Sequence, residues 1–346
     1  MGKVSLFFSL EENFDGLIDI LAIVGLTATG KTRLAIKLAK DLNGEVVSAD
    51  SVQVYKGLSI GTAKPSMEEC NGVPYHCIDL TDLDCTGFSV SDYVDFAKKT
   101  IFSIKKQGFY PIVCGGTGLY VDSLLNNVKF LENAKDTLLR KKLELIYRNR
   151  GIDPIYRELM KVDPEAASKI HKKNARRVIR ALEVYLVTGF TISEQVRFSK
   201  GSKVFNPIYV GLNYKNKENL IKSINSRVDT MIKSGLVEEA NELLKKGFKD
   251  FLKRIIGYRE LVEYFEGNGS VTLSDATEKI KIHTRQYAKR QMTWFKRNEK
   301  IKWFYVDEEG SFENLFLHVK NYVEEEKDKM DDSNFSENYK DFAKIR

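Results

Sequence analysis

Apolar residues follow two rhythms along this chain. In the first third, short unbroken apolar runs alternate with segments whose apolar positions recur every three or four residues. Ile18–Val24 is such a run and closes at Gly25. Thr32–Leu42 then carries Leu34, Leu38 and Leu42 on one side and Lys37 and Lys40 on the other. A second run, Glu45–Ala49, ends at Asp50. Ser91–Gln107 has helical spacing through Val94, Ala97, Ile101 and Ile104, and Tyr110–Cys114 reads as a strand stopped by Gly115-Gly116. Strands apolar on both faces, separated by amphipathic helices, predict an α/β fold with a parallel sheet covered on both sides.

From about 130 to 200 the pattern becomes wholly helical and charged, with predicted helices at 135–149, 153–161 and Asn174–Thr188, the last closed by Gly189. A strand returns at Pro207–Leu212, helices follow to about 298, and a final strand is expected at Trp303–Val306. This predicts a core of 18–128 completed by 204–323, whose C-terminal helices are basic, and interrupted by an all-helical insertion over 129–203. A frayed or disordered acidic end is expected from 324 to 346.

Composition narrows the class. The 346 residues are 42% hydrophobic and 11% aromatic, enough for a substantial core and too apolar for a disordered chain. The net charge is +7, but 324–346 holds eight acids and five bases, so the body before it carries +10, which suits a polyanionic partner. The four cysteines (Cys70, Cys77, Cys85, Cys114) form no CxxC pair, which argues against a zinc site or disulfide framework and for a reducing compartment. The longest apolar run, Leu17–Leu26, contains Asp19 and is too short to span a bilayer. The apolar patch Val4–Leu10 runs into Glu11-Glu12 without a small-residue cleavage site, so a cytoplasmic protein with no membrane association is expected.

The sharpest chemical signal is Gly25-Leu26-Thr27-Ala28-Thr29-Gly30-Lys31-Thr32, a GxxxxGK[ST] pattern that follows a buried strand and opens a helix. Its glycines let consecutive backbone N–H groups wrap phosphate oxygens, and the helix N-terminus adds partial positive charge. Lys31 would meet the outer phosphates and the Thr32 hydroxyl would ligate Mg²⁺. The pattern does not say which phosphates bind; kinases, ATPases and enzymes whose leaving group is pyrophosphate all use such a cradle.

Asp50 falls at the carboxyl end of the second strand, where open α/β sheets present their ligands. A carboxylate there can hold Mg²⁺ through water, act as a general base, or simply cap a turn. Ser51 and Gln53 can hydrogen-bond an acceptor, and Gln53 has the geometry to read an adenine edge. Gly115–Tyr120 is another loop suited to close backbone approach, with the Thr117 hydroxyl at its centre. Two stretches are basic: Lys169 to Arg180, with seven potential cations in twelve residues, and Glu278 to Lys302, interleaved with Tyr287, Met292, Trp294 and Phe295. Basic side chains track a phosphodiester backbone and aromatics stack on unpaired bases. Each run also fits a plain solvated face. The four histidines are too scattered for a metal site or a catalytic triad.

Taken in order, Gly25–Thr32, Ser48–Tyr55, Gly61–Pro65, Gly115–Tyr120, Arg180–Tyr185, Ile256–Glu260 and Thr284–Gln291 resemble the tRNA dimethylallyltransferase (tRNA isopentenyltransferase) family from about residue 20 to 310. The resemblance implies a P-loop NTPase-like core and transfer of a dimethylallyl group from dimethylallyl diphosphate to N6 of the adenosine 3′ to the tRNA anticodon. Mg²⁺ assists, and the loop holds the leaving diphosphate rather than a nucleotide triphosphate. It implies Asp50 as the base and Thr117 as a contact to the reacting centre, with Arg227 near the diphosphate. It also implies tRNA contacts from Asp50, Ser51, Val52, Gln53, Thr117, Arg140 and the stretch Arg176, Arg177, Val178, Ile179 and Arg180. The family's usual Pro-Asn-Asp before the arginine helix is Lys172-Lys173-Asn174 here, and a usual Lys or Gln is Arg176, changes that keep or raise positive charge. No zinc finger follows the core, so a bacterial-type enzyme is expected, and the resemblance implies a monomer. The competing readings are a prenyltransferase for free adenine nucleotides, a small-molecule kinase and a non-enzymatic RNA-binding module.

Overall fold

A computed structural model describes residues 16–84, 87–128, 137–198, 202–267 and 269–343. The patch Val4–Leu10 and Cys85 lie outside them. Six strands form one sheet among these residues: β1 (Ile18–Gly25), β2 (Gly44–Ser48), β3 (Tyr75–His76), β4 (Tyr110–Cys114), β5 (Phe205–Asn213) and β6 (Lys302–Tyr305), in the order β3-β2-β4-β1-β5-β6. Every pairing is parallel, as the strand–helix alternation predicts. β1 lies between β4 and β5, in register at Leu21↔Ile112 and Ile18↔Phe205. With neighbours on both sides it is apolar without alternation, and Ile20 to Val24 are fully buried.

The helix Lys31–Asp41 lays Leu34 and Leu38 against Leu21, Ile23, Val46, Ile112 and Val210. The helix Val90–Lys106 begins at a capping box formed by Ser89 and Asp92 and packs Tyr93, Ala97, Ile101 and Ile104 against β2 and β4. Helices Lys217–Lys233, Leu236–Lys245, Tyr258–Glu266 and Leu273–Phe295 build a further cluster around Leu236, Tyr258, Leu261 and Val262. The last helix runs from Phe312 to Ala343, where the sequence suggests a frayed acidic end from 324. Leu315, Val319 and Val323 explain the difference. They join the cluster that covers the sheet, with Tyr322 and Met330 packed on it, so the helix is anchored well past the point where acidic residues begin.

The chain divides into two compact units, 125–204 and the remainder. The smaller is helical: Thr137–Arg150, Asp153–Val162, Pro164–Lys169, Ala175–Thr188 and Ile192–Phe198. Its core gathers Leu143, Ile155, Leu159, Val178, Ile179 and Leu182. Ala175–Thr188 starts at Asn174, whose side chain accepts from Arg177 N, and stops at Gly189 in the left-handed region at φ 74. Within this unit the buried Glu183 carboxylate accepts from Arg140 and Arg180, each at 3.0 Å. Removing it would leave two half-buried guanidiniums facing each other. Glu183→Ala is therefore expected to destabilise the helical unit by about 2 kcal/mol, less than for a fully buried pair because both arginines retain water. Denaturant titration of the full chain checks this, and a stability equal to the parent's would contradict it.

Candidate active site

The turns after β1, β2 and β4 meet at the carboxyl end of the sheet. Gly115 N donates to Ile23 O at 3.1 Å, Ala49 N to Cys114 O at 2.8 Å, and Thr117 N to Ala49 O at 3.1 Å. These bonds fix the loop after each strand against its neighbour. The three sequence features that carry chemistry, the glycine-rich loop, Asp50 and Thr117, are thereby brought together.

The glycine-rich loop leaves β1 at Gly25, whose φ is +130. A Cβ there would lie 2.2 Å from the Leu212 carbonyl oxygen, so no other residue fits. Ala28 and Gly30 adopt left-handed conformations at φ 63 and φ 83, the alternation of backbone handedness that forms an anion nest. Helix Lys31–Asp41 starts directly after it, with no acid in its first turn. Lys31 Nζ donates back to Leu26 O at 2.5 Å, which also accepts from Thr29 Oγ1 at 2.8 Å. Burial brings the Lys31 ammonium down to about 8, with Arg227 pushing the same way while Cys114 and Asp50 oppose. Arg227 is itself lowered, again through burial first. A desolvated lysine and a desolvated arginine beside a nest of amides are costly without an anion and strongly attractive to one.

Asp50 Oδ1 accepts from Val52 N at 2.8 Å and from Gln53 N at 3.3 Å. The turn-capping role is therefore real, and it is served by one oxygen. The other, Oδ2, makes no hydrogen bond among the described residues. Thr117 Oγ1 accepts from Ser51 N at 3.0 Å and lies 3.3 Å from Ser51 Oγ, so it ties the acceptor loop to the Asp50 turn. Gln53 departs from its reading as an adenine reader. Its Oε1 accepts from Ser48 Oγ at 2.9 Å, and its Nε2 donates to the carbonyls of Thr62 and Ala63, both at 3.2 Å. With the amide committed at both ends, Gln53 holds the 61–65 loop as a wall of the site. Glu239 holds the same loop from outside, accepting from the amides of Ser59, Ile60 and Gly61 and from the Tyr258 hydroxyl. Val52 packs into the neighbouring apolar cluster.

Lys31, Thr32, Asp50, Arg227, Tyr287 and Gln291 line one cavity of about 670 Å³ together with loop residues 27–30. Gly25 and Leu26 lie behind it; Leu26 is 2% exposed. Tyr75 and Cys114 line the same cavity. Tyr75 and Gln291 do not stand out as site residues in the sequence, whereas Tyr287 is among the aromatics the basic stretch offers to unpaired bases. Tyr75 sits on a two-residue edge strand with no periodicity to reveal it, and Gln291 is a neutral residue among the cations of its helix.

The residues expected to meet RNA in the helical unit divide by burial. Arg176 and Arg177 are exposed and make no ion pair among the described residues, whereas Arg140 and Arg180 share Glu183. Val178 and Ile179 are 0% and 3% exposed. They belong to the apolar stripe of their helix, so a side-chain contact from either to RNA does not fit this structure.

A phosphate-loop motif at the head of a helix, a carboxylate at the next strand end and a buried arginine on the same cavity place the chain among α/β phosphate-loop proteins. Sequence comparison refines that class: residues 53–298 match the family model for IPP transferase. The chain belongs to the IPP transferase family. It is 47% identical over 310 residues to the tRNA dimethylallyltransferase of Caldanaerobacter subterraneus subsp. tengcongensis, covering 88% of this chain and 98% of that one. It is 42% identical over 310 residues to the tRNA dimethylallyltransferase of Bacillus subtilis. Among solved structures, the full-length tRNA isopentenylpyrophosphate transferase of Bacillus halodurans superposes with a TM-score of 0.66 at 40% identity, covering 90% of this chain and 99% of its own. A eukaryotic dimethylallyltransferase acting on tRNA superposes with a TM-score of 0.72 at 31% identity, over 84% of this chain and 74% of that one.

Proposed function

We infer that this chain transfers the dimethylallyl group of dimethylallyl diphosphate to N6 of the adenosine 3′-adjacent to the anticodon in tRNA, releasing diphosphate. The observation that carries the reading is one cavity lined together by Lys31, Arg227, the phosphate loop and Asp50, whose Oδ1 caps the turn. In the reaction N6 attacks C1 of the donor, the C1–O bond breaks, and its electron pair leaves on the diphosphate. The N6 proton passes to Asp50. The exocyclic amine is a weak nucleophile and the diphosphate a poor leaving group until its charge is neutralised, so both groups are needed at once. Arg176 and Arg177 supply exposed cations for tRNA phosphates, and the target base must leave its stack to reach a buried donor.

The cavity also fits Mg²⁺. The Thr32 hydroxyl and the Asp50 carboxylate are hard oxygen donors on it. Among the described residues no cluster of three or more His, Cys, Asp or Glu stands ready to cage a metal, which suits an ion that keeps water and diphosphate oxygens in its shell. Bound there, Mg²⁺ would neutralise charge developing on the leaving diphosphate. Among the described residues no helix is long and apolar enough to cross a membrane, and we take the enzyme to act as a cytoplasmic monomer.

The test is incubation of the protein with Mg²⁺, labelled dimethylallyl diphosphate and either unmodified tRNA or AMP. Mass spectrometry is expected to find N6-dimethylallyladenosine in the tRNA alone. Prenylated AMP would support the free-nucleotide reading, and no prenylated nucleoside in either arm would overturn the activity.

A further inference from the structure

The helix Leu273–Phe295 sends one polar side chain into the heart of the site. Gln291 is 5% exposed. Its Oε1 accepts from Thr27 N of the phosphate loop at 2.8 Å, and its Nε2 donates to Gly116 O of the acceptor loop at 3.0 Å. One carboxamide thus joins the loop after β1 to the loop after β4, across 264 and 175 residues of sequence. The approach is so close that a Cβ on Gly116 would lie 2.2 Å from Gln291 Nε2. One turn earlier on the same helix, Tyr287 lines the same cavity as Gln291 and Asp50. The contacts therefore run from Thr27 through Gln291 to Gly116, and the next residue of that loop, Thr117, accepts from Ser51 N beside Asp50.

We propose that Gln291 is a positioning residue that sets the separation between the diphosphate cradle and the Asp50–Thr117 acceptor side, and so the distance over which N6 attacks C1. The phosphate loop turns on Gly25 and Gly30 and the acceptor loop is fixed at its root by main-chain bonds to Ile23 and Ala49, so the carboxamide adds a second link between the two farther along each loop. A carboxamide suits the task because it offers one acceptor and one donor in a fixed plane, matching an N–H on one loop and a C=O on the other. An apolar side chain of similar length would leave both buried backbone groups unpaired and let the loops drift. Displacement of reacting groups by about 1 Å is enough to slow a reaction by roughly a hundredfold without weakening substrate binding to the same degree.

The proposal rests on the prenyl-transfer reading, and its test separates the two. Gln291→Met, Gly116→Ala and the double variant are compared with the native enzyme, which must itself prenylate tRNA. If the native enzyme does not, the activity is wrong, and affinity for inorganic pyrophosphate still reads out the phosphate loop. Gly116→Ala displaces the same carboxamide from the other side, so it probes the link even if Gln291→Met fails to fold. Each single variant is expected to lose roughly ten- to hundredfold in kcat, with KM for tRNA within about twofold of native. The double variant should be no worse than the poorer single one, since both break one link. Native kcat in either folded single variant, a KM effect alone, or multiplying losses in the double variant would overturn it.

Discussion

The Asp50→Asn protein, given dimethylallyl diphosphate and unmodified tRNA, is expected to transfer the prenyl group about 10² to 10⁴ times more slowly than the parent while binding tRNA equally well. Asparagine is the informative choice. Its side-chain oxygen can still accept from Val52 N and Gln53 N, the bonds that shape this turn, so the loop keeps its form. What is removed is the second oxygen, the one with no partner among the described residues, as a proton acceptor for N6. Single-turnover measurement at saturating substrates isolates that step. Unchanged turnover would leave Asp50 as a turn cap and nothing more, and the proton would need another acceptor.

The second large effect is expected in Lys31→Met. Methionine keeps the buried stem and removes the ammonium, and Leu26 O retains the Thr29 hydroxyl as donor, so the loop itself should survive. The loss falls on the leaving group. Deleting one preorganised donor from a developing anion costs about 10² to 10³ in rate, and a charged donor in a desolvated cavity belongs at the upper end of that range. Affinity for inorganic pyrophosphate should fall with it, because the same charge holds the product. Full activity with weakened pyrophosphate binding would show that Arg227 and the loop amides neutralise the leaving group on their own.

Much of the core was legible because its signals are local. β4 matches the expected Tyr110–Cys114, and β1 extends the expected run by one residue, to the glycine that ends it. The phosphate loop was equally plain, since glycine, lysine and threonine seldom fall at that spacing after a buried strand unless the backbone there wraps a phosphate. The edge strand Tyr75–His76 was invisible, as two residues after a proline carry no period. The link through Gln291 was hidden for a deeper reason. On a helix with Lys289 and Arg290 beside it, a glutamine reads as one more solvated residue, and its partners stand 175 and 264 residues away. The hint lay in the partner loop. Gly116 and Gly118 are the two positions where a Cβ would strike Gln291 and Trp294, and a sequence displays such a need only as small residues of unknown purpose. Gln53 shows the converse, a residue type apt for reading bases that tertiary structure spends on holding a loop.

The placement of β1 gives the growing polypeptide an order of events. The helical unit of 125–204 is made from neighbouring segments and can close as it leaves the ribosome. The central strand cannot be flanked on both sides until Phe205–Asn213 has been synthesised, and the glutamine that ties down the phosphate loop arrives later still. A nascent chain stalled near residue 200 therefore presents Ile20–Val24 as a bare apolar edge, the kind of surface that pairs with other chains. Chaperone capture or premature termination in this stretch is where failure to mature would begin.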